Sequence, residues 1–549
     1  MKPIDALLQV LKDEGVTKVF GNPGTTELPF LDSLVGAAGI DYVLGVHESA
    51  VVAMADGYAR ATGRLAFVSL HVAAGLANGL VGLLNASRSR TPLVVTAGQQ
   101  DRRHLVQDPM LSGDLVGLAK SAVKHVFDVQ HAHDLPILLR RAFLLATQPP
   151  AGPVLLSLPM DLLGEDTEVE LPGRTTVAPA AVSSGVAQAA EVLRTAQRPV
   201  IVAGDGVGRA GAVDELVATA EALGASVHHQ PLNDGIDFPT THALYEGMLP
   251  GTNAGIRAQL AAHDVVFIIG CHAFMPHHYT PGSPIPPGTR VVQLDSDRAE
   301  LGRNFPASPG LAGDIRATLA ELARRLTEQP PVGHAEHARE IGARTTARRA
   351  AVDGEALARY GPAPLDPLAA AHALAAGLPE DAVVVEEAIT TGVLLRQVLR
   401  QSRPGSYVHT IGGGLGSGIG MAVGTRMGQD ARPVVAALGD GCTLFGLQGL
   451  WSAARYGVPV TFVVLRNGEY RTLKETLDSW DSRATRAREY PGLDLGQLEF
   501  AKAAEFFGME SVEIASADQL RQVVAAAPLR DAPLLVDVPI TGHREAGRP

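Results

Sequence analysis

Two polar segments of this 549-residue chain follow apolar runs in a way that can build a metal site. One apolar run leads into Gly439-Asp440-Gly441, and a second, VPVTFVVL, leads into Asn467-Gly468-Glu469-Tyr470. Asp440 and Asn467 are 27 residues apart, the length of one strand–helix–strand unit, so adjacent parallel strands can present both at one sheet edge. Carboxylate and amide oxygens, a backbone carbonyl and phosphate oxygens suit Mg²⁺. The pattern is compatible with a phosphate-assisted Mg²⁺ site.

A second copy of the same pattern shows that spacing alone does not identify the site. Gly204-Asp205-Gly206 also follows an apolar run, and Asn233 lies 28 residues beyond Asp205. Gly-Asp-Gly is a common turn sequence. The choice between the two copies depends on what surrounds them.

The surroundings of the Asp440 copy resemble the diphosphate- and metal-binding motif of thiamine diphosphate enzymes. A second group of motifs near the N-terminus strengthens the likeness: Val19-Phe20-Gly21-Asn22-Pro23-Gly24, Glu27-Leu28-Pro29-Phe30, His47-Glu48, Leu70-His71-Val72-Ala73-Ala74-Gly75 and Thr96-Ala97-Gly98-Gln99-Gln100. Together they strongly resemble the benzoylformate decarboxylase branch of the thiamine diphosphate-dependent 2-oxo acid decarboxylases. The likeness extends in order over nearly the whole chain.

The resemblance implies a set of cofactor-binding residues. Glu48 matches the glutamate that shares a proton with the aminopyrimidine ring and so activates the cofactor. Gly413 matches the carbonyl that binds the aminopyrimidine amino group, and Leu415 matches the apolar wedge that bends the cofactor. The diphosphate end is implied at Gly439, Asp440, Gly441, Cys442, Asn467 and Tyr470, with Mg²⁺ or Ca²⁺ on Asp440, Asn467 and the Glu469 carbonyl.

The resemblance also implies a substrate site. His71 and His277 match two substrate-facing histidines, whose titration range suits the proton transfers that follow loss of CO₂. Thr25 stands where the family has a serine, and it keeps the hydroxyl that can hold a substrate carboxylate. Thr476 falls where a phenylalanine is expected, so with Leu473 it predicts a pocket for a larger or more polar 2-oxo acid than benzoylformate.

One departure concerns the metal motif. Arg466 replaces the first asparagine of the usual Asn-Asn pair, but the metal ligand is the second, which Asn467 retains. We therefore expect metal binding to survive.

Composition narrows the class of protein. A formal charge of −12 without a basic run argues against nucleic-acid binding. The two cysteines, Cys271 and Cys442, exclude a disulfide framework and indicate a reducing compartment. The N-terminus lacks the apolar core of a signal peptide, and apolar runs stop short of the ~20 residues of a membrane helix. We expect a cytoplasmic enzyme that acts on a small molecule.

The elements that must position these residues form three βα series, which predicts an α/β fold with three doubly wound parallel-sheet domains. The expected domains are a pyrimidine-binding domain at 1–165, a central domain at 183–327, and a diphosphate- and metal-binding domain at 366–549. Two stretches without strand signals, 161–182 and 327–367, are interpreted as linkers, the second partly helical. The family places the two ends of the cofactor on different chains, so a homodimer is the minimum and a homotetramer is expected.

Three other functions remain open from the residues. The first is a nicotinamide-dependent dehydrogenase, because Gly206-Val207-Gly208-Arg209-Ala210-Gly211 fits the dinucleotide-binding fingerprint. The acidic residue that binds the ribose, expected ~20 residues further on, is absent from Ser226–Gln230. In related enzymes the central domain is a scaffold or binds a flavin, and we interpret it as a scaffold. A carboligase is the second alternative, and a non-catalytic cofactor-binding subunit is the third.

Overall fold

The computed structural model describes residues 1–178, 180–429 and 431–543. The chain divides into two compact units: Met1–Thr176 with Arg359–Leu395 and the chain from Thr410 onward, and Val177–Ala358 with Arg396–His409. The described residues contain three six-stranded sheets, and each strand pair with a described register along these sheets is parallel. The predicted α/β class with three parallel-sheet domains is confirmed.

The N-terminal sheet has the strand order β2-β1-β3-β4-β6-β5. Its strands are β1 (Lys18–Gly21), β2 (Asp41–Leu44), β3 (Ala66–Leu70), β4 (Leu93–Gln99), β5 (His125–Asp128) and β6 (Val154–Pro159). Its helices are α1 (Pro3–Asp13), α2 (Leu28–Leu34), α3 (Glu48–Thr62), α4 (Val72–Arg88), α5 (Leu115–Ala119), α6 (Leu135–Thr147) and α7 (Met160–Leu163). β3, β4 and β6 are buried along their whole length, as expected of strands covered by helices on both faces.

The central sheet has the order β12-β11-β10-β7-β8-β9. Its strands are β7 (Pro199–Ala203), β8 (Ser226–His229), β9 (Tyr245–Met248), β10 (Val265–Ile269), β11 (Arg290–Asp295) and β12 (Gly310–Ala312). Its helices are α8 (Val186–Arg194), α9 (Gly206–Arg209), α10 (Val213–Leu223), α11 (Asn253–Leu260), α12 (Ile315–Glu328) and α13 (His334–Ala358). α13 lies in the second predicted linker, which is therefore helical over 25 residues.

The third sheet has the order β14-β13-β15-β16-β18-β17. Its strands are β13 (Val383–Glu387), β14 (Tyr407–His409), β15 (Val434–Gly439), β16 (Val460–Arg466), β17 (Glu510–Glu513) and β18 (Leu534–Pro539). Its helices are α14 (Pro367–Gly377), α15 (Ile389–Val398), α16 (Gly418–Gly428), α17 (Asp440–Gly446), α18 (Gly449–Arg455), α19 (Arg471–Ser479), α20 (Arg483–Ala487), α21 (Phe500–Phe506) and α22 (Ala517–Ala525).

Helices α3 and α16 pack with their backbones in contact and their N-termini at the same end. A Cβ atom at Gly420 would lie 2.8 Å from the carbonyl oxygen of Ala50, and one at Gly424 would lie 1.8 Å from that of Met54. A larger residue at either position would force the helices apart. The contact fixes the start of α3, where Glu48 lies, relative to the start of α16.

Candidate active site

Glu48 is the first residue of α3 and follows β2, at the carboxyl edge of the N-terminal sheet. Its side chain is 6% exposed, and its two carboxylate oxygens accept hydrogen bonds from the side-chain amides of Asn22 and Asn78, each at 3.0 Å. Asn22 belongs to the turn after β1, and Asn78 lies on α4. The carboxylate is therefore held in one orientation by two separate elements.

His71 precedes α4 and is bound to a buried carboxylate. Its Nδ1 lies 2.8 Å from Oε2 of Glu27 and 3.1 Å from Oγ1 of Thr26, and Thr26 donates to Oε1 of Glu27 at 2.6 Å. An ionised carboxylate only accepts, so Nδ1 carries the proton and Nε2 is the nitrogen left for a substrate. Glu27 belongs to one of the N-terminal motifs, but no role was predicted for it from the sequence, because its contact with His71 depends on the tertiary structure.

Two glycines make room for this pair. A Cβ at Gly24 would lie 2.1 Å from Cε1 of His71, and a Cβ at Gly98 would lie 2.0 Å from Oε1 of Glu27. Both glycines belong to motifs that carry the family resemblance. Their lack of a side chain lets the histidine and the carboxylate occupy those positions.

Thr25 begins the 3-10 turn Thr25–Glu27, and its side chain is exposed. The neighbouring Thr26 is buried and bonded to Glu27. Of the two threonines, Thr25 is thus the one whose hydroxyl remains accessible to a substrate.

Asp440 and Asn467 lie together at the carboxyl edge of the third sheet, at the ends of the paired strands β15 and β16. Oδ2 of Asp440 accepts from the backbone N–H groups of Asn467 at 2.9 Å and Gly468 at 2.6 Å, and Oδ1 accepts from that of Gly441 at 2.8 Å. Burial raises the pKa of Asp440, and these N–H groups oppose the rise. The aspartate thereby joins the two loops that the sequence predicts to bind the metal.

The other residues predicted around the diphosphate occupy the same loops. Cys442 is buried on α17, and burial raises the pKa of its thiol, so the group is neutral. The ring of Tyr470 covers Gly441, where a Cβ would lie 2.8 Å from Tyr470 Cε1. Gly439 ends β15, and the side chain of Glu469 accepts from Nζ of Lys474 at 2.5 Å.

Two hydroxyl groups near the carboxyl edge of the third sheet were not predicted from the sequence. Thr390 is in the first turn of α15, and its Oγ1 lies 2.5 Å from that of Thr472 in the first turn of α19. Helix N-termini with hydroxyl groups favour phosphate oxygens. The available signal was the Thr390-Thr391 pair, which begins three residues after the end of β13.

The hydroxyl groups of Thr390 and Thr472 and the side-chain oxygens of Asp440 and Asn467 fit a diphosphate and a divalent cation. Asp440 and Asn467 offer two oxygen-bearing side chains, which matches a hard cation that takes its other ligands from phosphate, carbonyl or water oxygens. Among the described residues there is no cluster of three or more His, Cys, Asp or Glu side chains that could hold a metal without such help.

Gly413 and Leu415 lie on the loop before α16. Gly413 has φ +79° and is exposed, with no heavy atom within 4 Å of the place where its Cβ would be. Leu415 is half-buried. For the part of the chain that is described, no hydrogen bond joins Glu48 to this loop, since Glu48 bonds to Asn22 and Asn78.

The predicted pocket residues lie on two units. Leu473 is 50% exposed on α19, and Thr476 donates its hydroxyl to the carbonyl of Thr472 at 2.8 Å, so that hydroxyl proton is engaged within the helix. His277 belongs to the other compact unit, where it lies in an exposed loop with Nδ1 3.1 Å from Nε2 of His278.

Arg466 replaces an asparagine of the usual motif, and the structure gives the reason why it is tolerated. Its Nε donates to Oδ1 of Asp537 at 2.8 Å, on the paired strand β18. Its guanidinium is thus engaged by Asp537, while the Asp440 carboxylate binds the backbone N–H groups of Asn467 and Gly468.

The glycine-rich segment of the central domain packs against protein backbone. A Cβ at Gly204 would lie 2.5 Å from Cα of Cys271, and one at Gly206 would lie 2.6 Å from Cα of Gly270. Asp205, the rival of Asp440, accepts from Nε2 of Gln230 at 2.6 Å and the N–H of Asp234 at 2.8 Å. These contacts favour a structural role for the segment.

Across the described residues no helix has the length and apolar character needed to cross a membrane.

Comparison with known proteins covers the whole chain. Three family models match: the thiamine pyrophosphate enzyme N-terminal TPP binding domain at 1–116, the central domain at 186–322 and the C-terminal TPP binding domain at 390–538. Benzoylformate decarboxylase of Pseudomonas aeruginosa is 36% identical over 546 residues, covering 97% of this chain and 98% of the relative. The large subunit of acetolactate synthase isozyme 3 of Escherichia coli is 28% identical, covering 98% and 94%. The solved thiamine diphosphate-dependent 4-hydroxybenzoylformate decarboxylase of Rhodococcus jostii RHA1 superposes with a TM-score of 0.87 at 32% identity, covering 100% of both chains.

Proposed function

Because the chain belongs to the thiamine diphosphate-dependent 2-oxo acid decarboxylase family, we propose that it converts a benzoylformate-like 2-oxo acid to an aldehyde and CO₂. The observation that carries this reaction is the His71–Glu27 contact in the domain that also holds Glu48. It supplies an oriented proton-transfer group in the same domain as the predicted cofactor-activating carboxylate.

Thiamine diphosphate, when bound, supplies a nucleophilic carbon and an electron sink for the electrons left on the substrate as CO₂ departs. Glu48 would hold a proton at the aminopyrimidine ring. The Gly413 carbonyl would orient the amino group, and Leu415 would support the bent cofactor. Asp440, Asn467 and the Glu469 carbonyl would hold Mg²⁺, with Ca²⁺ as the alternative.

We assign the remaining steps to the residues that the family resemblance implies for the substrate site. Nε2 of His71 would give or take a proton at the carbon that has lost CO₂, since Nδ1 is engaged by Glu27. His277 would serve the second transfer, at the product oxygen. Thr25, whose side chain is exposed, would hold the substrate carboxylate.

A homodimer is the minimum assembly that we propose, and a homotetramer is expected. Exposed apolar side chains flank the loop of Gly413: Val81 and Leu84 on α4, and Leu444 and Phe445 on α17, the last 56% exposed. Val81 and Phe445 are next to the loop, since Cβ atoms at Gly414 and Gly416 would collide with them. This exposed apolar surface supports a partner chain beside the loop, and the family resemblance implies that the two ends of the cofactor lie on different chains. Both cysteines are free and buried, which supports a cytoplasmic location.

The test is CO₂ release from purified protein with thiamine diphosphate and Mg²⁺ over a panel of aryl, branched and polar 2-oxo acids. Benzoylformate and its ring-substituted analogues are expected to turn over, with preference for the larger or more polar ones because Thr476 replaces an aromatic side chain. No CO₂ release from any member of the panel would contradict the proposal.

Carboligation is the second candidate function, favoured by the full-length match to acetolactate synthase. The same assay separates the two functions when an acceptor aldehyde or 2-oxo acid is added. A decarboxylase releases CO₂ and aldehyde without an acceptor, whereas a dedicated carboligase requires one.

A further inference from the structure

The loop that carries Gly413 and Leu415 is attached on one side to a buried carboxylate. Glu387 is the last residue of β13. Its Oε1 accepts from the N–H groups of Gly416 at 3.0 Å and Ser417 at 3.1 Å, and its Oε2 accepts from that of Gly418 at 3.0 Å. Helix N-termini have N–H groups without partners in the helix, so Glu387 satisfies the N–H groups at the start of α16.

A side-chain amide attaches the other side of the loop. Asn85 on α4 donates through Nδ2 to the carbonyl of Gly414 and to Oγ of Ser417, both at 2.8 Å, and its Oδ1 accepts from the N–H of Gly414 at 3.1 Å. Asn85 thus bonds both backbone groups of one residue. Leu415 lies between Gly414, which Asn85 holds, and Gly416, which Glu387 holds.

Close approach on both sides prevents the loop from shifting. A Cβ at Gly412 would lie 2.3 Å from Oδ1 of Asn85, and one at Gly418 would lie 2.9 Å from Cβ of Glu387. Gly413 alone projects away from these contacts, with φ +79°. The backbone is therefore fixed before and after the two residues that the cofactor would meet.

The burial of Glu387 and Asn85 indicates that they hold the backbone of the loop. Glu387 is 2% exposed and Asn85 is 1% exposed. Burial raises the pKa of Glu387 to about 7, and the three backbone N–H groups oppose the rise. Burying a carboxylate has a desolvation cost, which these hydrogen bonds offset. The same hydrogen bonds fix the geometry of the backbone.

We propose that Glu387 and Asn85 are positioning residues that form a two-sided clamp and fix the Gly413 carbonyl and the Leu415 side chain for thiamine diphosphate. The inference rests on the proposed function, since it assumes that the loop binds this cofactor. It concerns binding of the cofactor and its orientation, before any substrate is present.

The test measures thiamine diphosphate binding with Mg²⁺ by calorimetry, and near-UV circular dichroism of the bound cofactor, in Glu387→Gln, Asn85→Ala and the double variant. Each single variant is expected to raise the Kd for thiamine diphosphate by roughly 10-fold or more and to change the circular dichroism of the bound cofactor. The double variant is expected to lose less than the product of the single effects, because both residues hold one loop.

Asp56→Asn is the matched control. Asp56 is also a buried acid, bonded to Thr91 and Arg60, but it lies eight residues along α3 from Glu48. It is expected to lower thermal stability without changing Kd. Should Glu387→Gln fail to fold, Asn85→Ala decides the question by the same readouts.

Unchanged Kd and dichroism in the folded variants would overturn the clamp and leave the proposed function intact. A rise in Kd no larger than any seen in Asp56→Asn would also overturn it. Absence of cofactor binding by the unaltered protein would instead overturn the proposed function together with the clamp.

Discussion

Nδ1 of His71 lies 2.8 Å from Oε2 of Glu27, and this contact orients the imidazole in the N-terminal domain. The carboxylate is buried and is also held by Thr26 and by the N–H of Gly24 at 2.8 Å. A histidine with one nitrogen fixed in this way can transfer protons only through the other. The relation links the sequence motif of Glu27 to the proposed chemistry of His71.

Glu27→Gln is expected to lower kcat by roughly 10- to 100-fold with a smaller effect on KM, because the amide cannot fix the tautomer and charge of His71. The measurement is steady-state decarboxylation of benzoylformate. Asp32→Asn, an exposed position on α2, is the control and should leave both constants unchanged. A Glu27→Gln enzyme with normal kcat would show that His71 needs no carboxylate partner.

Gly24→Ala should displace the same histidine, His71, by steric clash. The new methyl group would lie 2.1 Å from His71 Cε1, so the ring must turn away from Glu27. We expect a fall in kcat of similar size to that of Glu27→Gln, and no further loss when both changes are combined. Gly36→Ala is a useful comparison, since space around that glycine is open although its φ is +76°. Additive losses would contradict a shared mechanism.

Glu48→Gln is expected to keep the fold and most cofactor binding while lowering turnover by about 100-fold or more, since the amide cannot exchange a proton with the aminopyrimidine. Circular dichroism and cofactor titration check the first two expectations, and CO₂ release checks the third. Asn78→Ala removes one of the two amides that orient the carboxylate and should have a smaller effect. Unchanged turnover in Glu48→Gln would refute the assigned role.

The metal proposal is tested by comparing the two Gly-Asp-Gly segments. Asp440→Ala should abolish the Mg²⁺ dependence of thiamine diphosphate binding, measured by titration with and without a chelator. Asp205→Asn should leave that dependence unchanged, because its oxygens bond to Gln230 and Asp234 within the central domain. Equal effects of the two substitutions would contradict a site at Asp440.

Asp237 in the central domain gives a pH dependence of stability. Burial, followed by the charge of Asp234, raises its pKa from 3.8 to about 7. Between these values the folded state binds more protons than the unfolded state, so the free energy of unfolding falls as pH rises through this window. Asp237→Asn should remove this loss and be more stabilising at pH 8 than at pH 4, by on the order of 4 kcal/mol.

Calorimetric unfolding of the central domain at several pH values checks this expectation. Asp264 is a half-buried acid whose carboxylate oxygens accept from the backbone N–H groups of Gln197 and Arg198, and Asp264→Asn should not reproduce the pH dependence. A parallel pH profile for Asp237→Asn and the unaltered protein would rule out Asp237 as the source.

The sequence predicted the buried strands well because their apolar runs are continuous. The apolar run VPVTFVVL, residues 458–465, forms β16 (Val460–Arg466) to within two residues at each end. The strands β5, β6, β9, β12, β14 and β17 were not predicted; all of them except β6 lie at the edge of their sheet and are three or four residues long. Short edge strands bury one face or less, so they leave little hydrophobic signal.

The residue types by themselves determined the fold class, the family and the candidate residues Glu48, His71, Asp440 and Asn467, because strand, turn and motif are local in the chain. Tertiary structure decided which of two Gly-Asp-Gly segments joins its asparagine: Asp440 bonds to the backbone of Asn467, whereas Asp205 bonds to Gln230. It also decided that Glu27 serves His71, 44 residues away, and that Asn85 holds Gly414, 329 residues away. Hydrogen bonds of 2.8–3.1 Å between residues so distant in sequence depend on how helices pack on sheets, and no local sequence pattern encodes them.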